Sequence, residues 1–533
     1  FQNTAHPVNG IYPRPGPSNI TSQEISSVPG EAAVQQGIEL GSECVENSRR
    51  HSRSIEYVPA GPTASLAVPD MSYSSSEGED DFFDANDSPF TPGSQIPTPT
   101  SLRSFDSDAA TPVPVTTKPT TLNNSARQPS QTGRTEIRKL DEGELDYDAL
   151  YEDHDEDDIE LESHGSVIRH LLSQVKIGMD LTKVVLPTFI LERRSLLEMY
   201  ADYFAHPDMF IKIADLKEPR DRMIQVVKWY LSSYHAGRKS TVAKKPYNPI
   251  LGEIFRCHWD VPNGNGDSKD DAVDDGPVPW CRRSQLTFVA EQVSHHPPIS
   301  AFYAEHYNKR ISFNAHIYTK SKFLGLSVCV YNIGQGVVNV IDYDEEYIVT
   351  FPNGYGRSIL TVPWIELGGT VTINCPKTGY NCTVEFITKP FYGNKKNKIS
   401  AEVFGPDEKK PFLTISGEWN GVMEYKWTER EMEEHIDVNN LSVIKKQVRP
   451  IREQDENESR RLWKEVTAGL RFNEIDKATN AKQALEQKQR DEAKDRKDRG
   501  QEWNTRLFTK LGEDSYVYKK PLWQRLHSQT SNT

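Results

Sequence analysis

Two adjacent histidines followed by two prolines are the residues of this sequence with the clearest potential for chemistry. His295 and His296 precede Pro297 and Pro298, directly after a strand-like apolar run that ends at Val293. Imidazole groups bind metal ions, act as general bases or contact anionic phosphates. Neighbouring side chains of an extended strand point to opposite faces, so both rings reach one ligand only if the backbone turns there, and proline supplies that constraint. Two ordinary loop histidines are the remaining interpretation.

These interpretations differ in the partners that they require. A metal site needs further ligands, and no Cys or carboxylate accompanies the histidines at a recognised spacing. A catalytic base would use His295 or His296 with Glu291 to orient it, but the sequence has no Gly-x-Ser-x-Gly elbow that would supply a nucleophile. We therefore predict no metal, no cofactor and no enzymatic activity, and hydrolysis stays open as an alternative.

Two further clusters carry cationic or amide side chains. In the first, prolines on both sides of Asn248 favour a rigid loop that also presents Lys245. In the second, Lys482, Glu486 and Arg490 recur every fourth residue and therefore share one face of a helix. Taken alone, such a ladder is usually a solvated face, where each pair contributes only ~0.3–0.5 kcal/mol.

The elements that must position these clusters are mainly β-strands. Between about residues 251 and 427 the apolar pattern has a period of two, and Asn353-Gly354 and Asn420-Gly421 are typical turn signals. So many strands without intervening helices predict a large antiparallel sheet, most economically closed into a near-complete barrel. The predicted strands include residues 286–290, 312–318, 326–331, 337–341, 370–374 and 383–387.

Helical periodicity lies on both sides of this β region. Apolar residues at helical spacing predict a short amphipathic helix over 166–175, which on its own is read as a core-facing helix. Further helical stretches are expected at 195–204, 222–234 and, strongly charged, 459–499. The aromatic segment 503–526 should pack back on the body, and residues 261–278, rich in Gly, Asp and Pro, predict a surface loop.

Composition limits the class of protein. The chain has 533 residues, of which 36% are hydrophobic and 26% charged, and its net charge of −14 disfavours a nucleic-acid partner. No apolar run approaches the ~20 residues that span a bilayer, so we expect a soluble protein. Six scattered cysteines without a Cys-x-x-Cys pair favour a reducing, cytosolic compartment. The first residue is Phe1, and a membrane-targeting domain before it is an open expectation.

The first 160 residues have the composition of a disordered tail. They are rich in Pro, Ser, Thr, Asn, Asp and Glu, and cannot bury enough apolar surface to offset the entropy of ordering. Within them, Phe82 and Phe83 lie in an acidic, serine-rich tract. The pair is either a chance occurrence or a linear docking peptide whose acidic flank guides it to a basic surface.

The docking interpretation has a known counterpart. The segment resembles the motif of two phenylalanines in an acidic tract that binds VAMP-associated proteins on the endoplasmic reticulum, with Asp replacing the usual Glu at two positions. The residues that the resemblance assigns to docking are Asp81, Phe82, Phe83, Asp84, Ala85 and Asp87. Phosphorylation of the flanking serines would add negative charge and should strengthen docking.

The three clusters occur in an order that is similar to a known family. The segments around His295, Lys245 and Lys482 resemble the three headgroup-contacting motifs of the oxysterol-binding protein-related family. The resemblance covers about residues 165–526, which leaves 527–533 as a disordered end. It is strongest to the subgroup of related proteins nine, ten and eleven, through segments 179–194 and 351–364.

The resemblance implies a near-complete antiparallel barrel around a lipid tunnel, with an N-terminal lid helix and a C-terminal helical region. At its mouth, phosphatidylinositol 4-phosphate would be bound, and Glu486 would hold Lys482 and Arg490 in position. The implied headgroup residues are Lys245, Asn248, His295, His296, Lys482, Glu486 and Arg490. The helix at 166–175 would be the lid, and the implied lid or second-lipid residues are Leu171, Leu172, Leu181 and Thr182.

The expected activity is lipid exchange. Phosphatidylinositol 4-phosphate would move in one direction and a second lipid, sterol or phosphatidylserine, in the other. The protein would be cytosolic and peripheral, at contacts of the endoplasmic reticulum with Golgi, endosome or plasma membrane. The alternative is a lipid sensor and membrane tether that binds the same headgroup without net transport.

Overall fold

The computed structural model describes residues 145–152, 177–179, 188–237, 244–261, 271–325, 327–358, 364–390, 396–512 and 514–530. The predicted docking peptide, from Asp81 to Asp87, and the lid residues Leu171, Leu172, Leu181 and Thr182 lie outside these ranges. None of the helices in the described part of the chain combines the length and apolarity that a bilayer crossing requires.

Alternating burial along the strands produces a 13-stranded antiparallel sheet. In the strand 381–387, for example, Cys382, Val384 and Phe386 are buried while the residues between them are exposed. This is the period of two that one buried face imposes. The strands in the described ranges are β1 Leu191–Ser195, β2 Lys245–Tyr247, β3 Ile254–Asp260, β4 Gln285–Ser294, β5 Ile299–His306, β6 Ile311–Phe323, β7 Ser327–Val340, β8 Glu345–Val349, β9 Asn353–Arg357, β10 Trp364–Asn374, β11 Asn381–Ile387, β12 Lys398–Phe404, β13 Leu413–Glu418, β14 Val422–Trp427, β15 Met432–Asp437, β16 Phe508–Leu511 and β17 Ser515–Tyr518.

The sheet runs almost in sequence order, from β15 through β14, β13, β12, β11, β10, β8, β7, β6, β5 and β4 to β3, with β9 between β10 and β7. After β15 the chain returns to the opposite edge, where the backbone N–H and C=O of Gln447 pair with those of His258 in β3. The expected large antiparallel β architecture with helices at both ends is confirmed. β1 and β2 form a separate parallel pair.

The helices provide the remaining core. Those that the structure describes are α1 Ala149–Glu152, α2 Leu196–Tyr200, α3 Pro207–Ile211, α4 Pro219–Ser233, α5 Ser459–Leu462, α6 Lys464–Arg471, α7 Ile475–Asp498 and α8 Leu522–Thr530. The main apolar cluster joins α2 to α4 with one face of the sheet, through residues such as Phe204, Trp229 and Phe313. The helices expected at 195–204, 222–234 and 459–499 are therefore present.

β4 and β5 are covered on both faces. Phe288 and Phe302 belong to the main cluster, whereas Val289 and Tyr303 pack against Phe508 and other aromatic residues of the C-terminal segment. The prediction that residues 503–526 pack back on the body is confirmed. A strand buried on both faces is held more firmly than an edge strand, which matters because the histidine pair follows β4.

Several sequence predictions need correction. The two strands expected at 326–331 and 337–341 belong to one strand, β7, because Gly334 stays in the ladder where a Cβ would come within 2.1 Å of the His316 carbonyl oxygen. Asn353-Gly354 begins β9 rather than forming a turn, since Gly354 pairs with Leu367 of β10. Asn420-Gly421 does join β13 to β14 as expected.

The ends of the domain also differ from the prediction. Residues 145–152, assigned to the disordered tail, include helix α1, and Leu150 is only 2% exposed. Leu150 and its neighbouring tyrosines supply apolar contacts. The mean composition of the acidic tract does not reveal such a short apolar group. At the other end, α8 continues to Thr530, past the predicted limit at 526.

Candidate functional site

The two histidines lie in a four-residue turn between β4 and β5. β4 ends at Ser294, β5 begins at Ile299, and the pairing register shifts between Gln292 and Ser294. The shift and the turn bring the rings of His295 and His296 to a centroid distance of 4.5 Å, with an angle of 65° between them. The backbone therefore turns as the proline pair predicted, and both imidazoles lie together.

Glu291, the acidic residue near the end of β4, has a structural role. The carboxylate of Glu291 accepts hydrogen bonds of 2.7 Å from the backbone N–H groups of Arg506 and Leu507. Burial raises the pKa of this carboxyl group, while the two N–H donors oppose the rise. Glu291 thus clamps the C-terminal segment to β4, and the idea that it orients His295 for base catalysis is contradicted.

The loop that carries Lys245 and Asn248 is tied to the same strand. Gly252 donates from its backbone N–H to the carbonyl of Gln292 at 2.9 Å, and the Gln292 N–H donates to the carbonyl of Glu253 at 2.9 Å. Lys245 and Asn248 are both exposed. The loop is therefore fixed by its backbone and leaves its two candidate side chains accessible.

A buried carboxylate beneath the loop reinforces this position. Glu253, 1% exposed, accepts hydrogen bonds from the hydroxyls of Ser195 and Ser459, the indole N–H of Trp463 and the backbone N–H of Ile250. Burial raises the pKa of Glu253, and its hydrogen-bond donors lower it. Because four donors from separate elements converge on this group, the loop cannot shift without breaking several bonds at once.

Helix α7 presents the third cluster. Its apolar residues, Ala478 and Leu485, pack in a cluster with Leu191 and Tyr247 of β1 and β2. On the neighbouring face, Lys482 Nζ forms an ion pair of 2.7 Å with Glu486, as the four-residue spacing predicted. Arg490 donates to the side-chain oxygen of Gln487 at 3.0 Å. The proposed contact of Glu486 with Arg490 stays a prediction.

One amide side chain links all three segments. Gln489 of α7 accepts a 2.8 Å hydrogen bond from the backbone N–H of Leu251, which fixes the orientation of the amide. Its Nε2 then donates to His295 Nε2 at 2.8 Å. In the neutral imidazole the proton must consequently be on Nδ1. His295 Nδ1 is shielded from solvent and has no hydrogen-bond partner in the described part of the chain.

The electrostatics of the site are those of a concentrated cationic region. Burial and the adjacent His296 lower the pKa of His295 to about 4. Loss of surrounding water and the charge of Lys482 lower the pKa of Lys245, while Glu486 opposes that shift. The Lys245 side chain is nevertheless accessible to solvent. A lowered pKa together with solvent access indicates a side chain that lies in a recess. An anion placed here would relieve the repulsion between these groups.

The structure thus brings most of the predicted headgroup residues into one region. Lys245, Lys482 and Glu486 influence one another, and His295 with His296 joins them through Gln489. No group of three His, Cys, Asp or Glu side chains suited to a metal ion occurs among the described residues. The surface recess along the β14–β15 hairpin, lined by residues 426–433, contains none of the candidate residues.

Sequence reasoning missed the residues that hold the site together. Gln489 is one of three glutamines between residues 482 and 490, and nothing in its type separates it from Gln483 or Gln487. A helical wheel places Gln489 beside Glu486, which was the only available signal. Glu253 was easier to recognise from the sequence, because it directly follows a glycine in a proline-rich loop. An acidic residue that is buried in such a loop needs hydrogen-bond partners.

Comparison with known proteins identifies the family. A family model described as oxysterol-binding protein matches residues 170–473 and 467–527. The chain is 50% identical over 561 residues to oxysterol-binding protein-related protein 9 of Xenopus tropicalis, covering 98% of this chain and 73% of that protein. The human protein of the same name is 57% identical over 464 residues, covering 86% and 61%. Human oxysterol-binding protein-related protein 11 is 49% identical over 387 residues, covering 70% and 52%.

Solved structures share the fold. The Osh1 ORD domain in complex with ergosterol has a TM-score of 0.50 at 21% identity, covering 69% of this chain and 97% of that domain. The Osh3 ORD in complex with PI(4)P, from Saccharomyces cerevisiae, has a TM-score of 0.50 at 18% identity, covering 68% and 92%. By the extent of the family match and the identity to these relatives, the chain belongs to the oxysterol-binding protein family, in the subgroup of related proteins nine, ten and eleven.

Proposed function

We propose that this chain is a lipid-transfer protein that binds phosphatidylinositol 4-phosphate and exchanges it for a second lipid, sterol or phosphatidylserine, between membranes. The observation that carries the proposal is the junction at Gln489, where the loop of Lys245, the turn of His295 and the helix of Lys482 meet. Three distant segments contribute cations, an amide and imidazoles to one accessible region. Such a set is suited to a phosphate monoester on a lipid headgroup.

The charges of ligand and site are complementary. A phosphate monoester carries about −1.5 to −2 charges near pH 7 and offers three acceptor oxygens. Lys245 and Lys482 supply cations, and Glu486 holds the Lys482 ammonium at 2.7 Å. His295 supplies a shielded Nδ1–H donor, for which the described residues offer no acceptor. Satisfying a buried donor is favourable because leaving it unpaired costs about 1–3 kcal/mol.

The two hydrocarbon chains of the lipid require an enclosed site once they leave the bilayer. Each methylene exposed to water would cost ~0.8 kcal/mol, so a two-chain lipid can be extracted only if the protein replaces the apolar surroundings that the bilayer provides. The related Osh1 and Osh3 domains were solved with ergosterol and with PI(4)P, and this supports both kinds of cargo. The chain spans 61% of its human relative, so the activity of a full-length protein is part of the proposal.

We further propose that the segment around Phe82 and Phe83 recruits the protein to the endoplasmic reticulum. The acidic flank and paired aromatics suit the VAMP-associated partner predicted from the sequence. Docking there while the lipid site contacts Golgi, endosome or plasma membrane would place transfer at a membrane contact site.

Lipid extraction tests the proposed function. The complete chain should remove phosphatidylinositol 4-phosphate from liposomes, and replacing His295 and His296 together by Ala should abolish extraction. His435, an exposed histidine of β15, provides the matched control, and His435→Ala should extract normally. Equal extraction by the double variant and the wild type would reject the headgroup assignment.

A second experiment separates transfer from sensing. Donor liposomes containing phosphatidylinositol 4-phosphate are mixed with acceptor liposomes containing sterol or phosphatidylserine, and both lipids are followed. Coupled movement in opposite directions supports exchange and identifies the second lipid. Binding without movement would establish a sensor or tether, and release of inositol phosphate or free phosphate would establish a hydrolase.

A further inference from the structure

An acidic segment outside the family match is docked on the body of the protein. Residues 145–152, which we name the strap, lie against α5 and α6, and the matched family region begins only at residue 170. Leu150 is buried at 2% exposure. The strap also lies between the predicted docking peptide and the predicted lid helix along the chain. The buried Leu150 therefore anchors the strap on the body of the protein.

The contacts of the strap are aromatic and cationic. The guanidinium of Arg460 lies 4.5 Å from the ring centre of Tyr151, and the ammonium of Lys464 lies 4.7 Å from that of Tyr147. The hydroxyl of Tyr147 donates to Glu465 at 2.7 Å. Each tyrosine ring thus faces a cation from the helical surface, in the geometry in which cation–π attraction is effective.

Backbone contacts fix the orientation of the strap. The carboxylate of Asp148 accepts a 3.1 Å hydrogen bond from the backbone N–H of Ile451. Asp146 accepts from the backbone N–H groups of Asp148 and Ala149, at 3.1 and 3.2 Å, and so begins the short helix α1. The strap is therefore held in one register, and its side chains reach defined partners.

One contact of the strap continues into the headgroup loop. The hydroxyl of Tyr151 is 2.9 Å from Thr467 Oγ1, and the same oxygen is 3.0 Å from the hydroxyl of Tyr247. Tyr247 belongs to β2, directly between the candidate headgroup residues Lys245 and Asn248. A threonine hydroxyl donates one hydrogen bond and accepts others, so it can serve both phenols at once.

The hydrogen-bonded hydroxyls of Tyr151, Thr467 and Tyr247 form a hydroxyl chain. Its inner members are buried, so a change at one hydroxyl affects the others. Thr467 is 0% exposed and Tyr247 is 1% exposed. The ring of Tyr247 also stacks on Trp463 at a centroid distance of 4.8 Å. Water cannot easily replace a lost partner at such a position, so removal of one hydroxyl alters the orientation of the next.

We propose that the strap is a positioning element for the headgroup site, in which Tyr151 orients Thr467 and, through it, Tyr247 and strand β2. The proposal rests on the proposed function for the identity of the ligand. If the strap has this role, headgroup binding depends on whether the strap is docked. The positioning residues are Tyr151 and Thr467, neither of which contacts the ligand.

The substitution Tyr151→Phe removes the hydroxyl and keeps the ring against Arg460. We expect the affinity of the complete chain for liposomes containing phosphatidylinositol 4-phosphate to fall about three- to tenfold, the effect of one buried hydrogen bond. Hydrogen–deuterium exchange at the backbone amides of Lys245, Tyr247 and Asn248 should become faster. Tyr147→Phe removes the other strap hydroxyl, which bonds to Glu465, and should leave both measurements unchanged.

A double-mutant cycle tests the route. If Tyr151 acts through Thr467, Tyr151→Phe should add little to the loss caused by Thr467→Val. A lower melting temperature for Tyr151→Phe, with headgroup affinity and amide exchange both as in wild type, would overturn the proposal. If the wild-type chain binds no phosphoinositide, the proposed function fails, and the exchange at β2 still decides whether the strap positions this strand.

Discussion

The imidazole of His295 is held in one protonation state before any ligand arrives. Gln489 donates to its Nε2, and burial together with His296 lowers its pKa to about 4. At neutral pH the ring is therefore neutral, with its proton on Nδ1. The charged imidazole would need a proton on Nε2, where the Gln489 N–H already donates, so a phosphate meets a neutral ring whose Nδ1–H is the available donor. Binding at neutral pH therefore takes up no proton at His295.

The pH dependence of binding follows from this hydrogen bond. Headgroup affinity should fall as the pH approaches the His295 pKa of about 4, because protonation of Nε2 removes the bond from Gln489. The phosphate also loses charge near pH ~6, which adds to the fall. Calorimetry at pH 7.5 in two buffers of different ionisation enthalpy should show the same proton exchange per bound lipid for wild type, His295→Ala and the control His435→Ala. Proton uptake by the wild type that His295→Ala alone removes would contradict this account.

At the scale of elements, the site is a junction between a turn, a loop and a helix that are far apart in the chain. The β4–β5 turn is fixed by a strand buried on both faces, and the loop before β3 is fixed by Glu253 and Gln292. Helix α7 is placed by Ala478 and Leu485 against β1 and β2. Gln489 joins them through its hydrogen bonds to Leu251 and His295.

Loss of the Gln489 amide should therefore weaken headgroup binding without unfolding the helix. Gln489→Leu keeps the size and helix propensity of the side chain and removes the bonds to Leu251 and His295. We expect the affinity for phosphatidylinositol 4-phosphate liposomes to fall about tenfold, from about 1–1.5 kcal/mol of lost hydrogen bonding. Asn480→Ala, at an exposed amide of the same helix, is the control. Unchanged affinity of Gln489→Leu would show that the junction does not position the site.

At the scale of the whole molecule, the C-terminal segment closes over the elements that build the site. Glu291 binds the backbone of Arg506 and Leu507, and Phe508 packs on the outer face of β4 and β5. Trp503 covers Gly252, where a Cβ would come within 2.5 Å of the indole ring, and Gly252 has φ +78°. The loop, β4 and the C-terminus therefore meet at a position that only glycine fits.

The variant Gly252→Ala should lower the free energy of unfolding by roughly 1–3 kcal/mol, because it adds both backbone strain and a steric contact with Trp503. Chemical denaturation of the complete chain measures this change. Gly354→Ala is the matched control, since nothing lies within 4 Å of a Cβ at that glycine of β9. Equal destabilisation by the two variants would contradict the close packing of Trp503 on the loop.

The sequence by itself determined the β-rich middle, the helices at its ends and the candidate residues, because period, turn chemistry and residue type are local properties. It also predicted that two adjacent histidines would converge, since the diproline constrains the chain next to them. Only the tertiary structure decided that Glu291 clamps the C-terminus, that Gln489 joins three segments and that the strap docks beside Tyr247. Those outcomes depend on which donor meets which acceptor across 194 to 220 residues of sequence. Such pairings follow from the packing of the whole chain and leave no periodic trace in it.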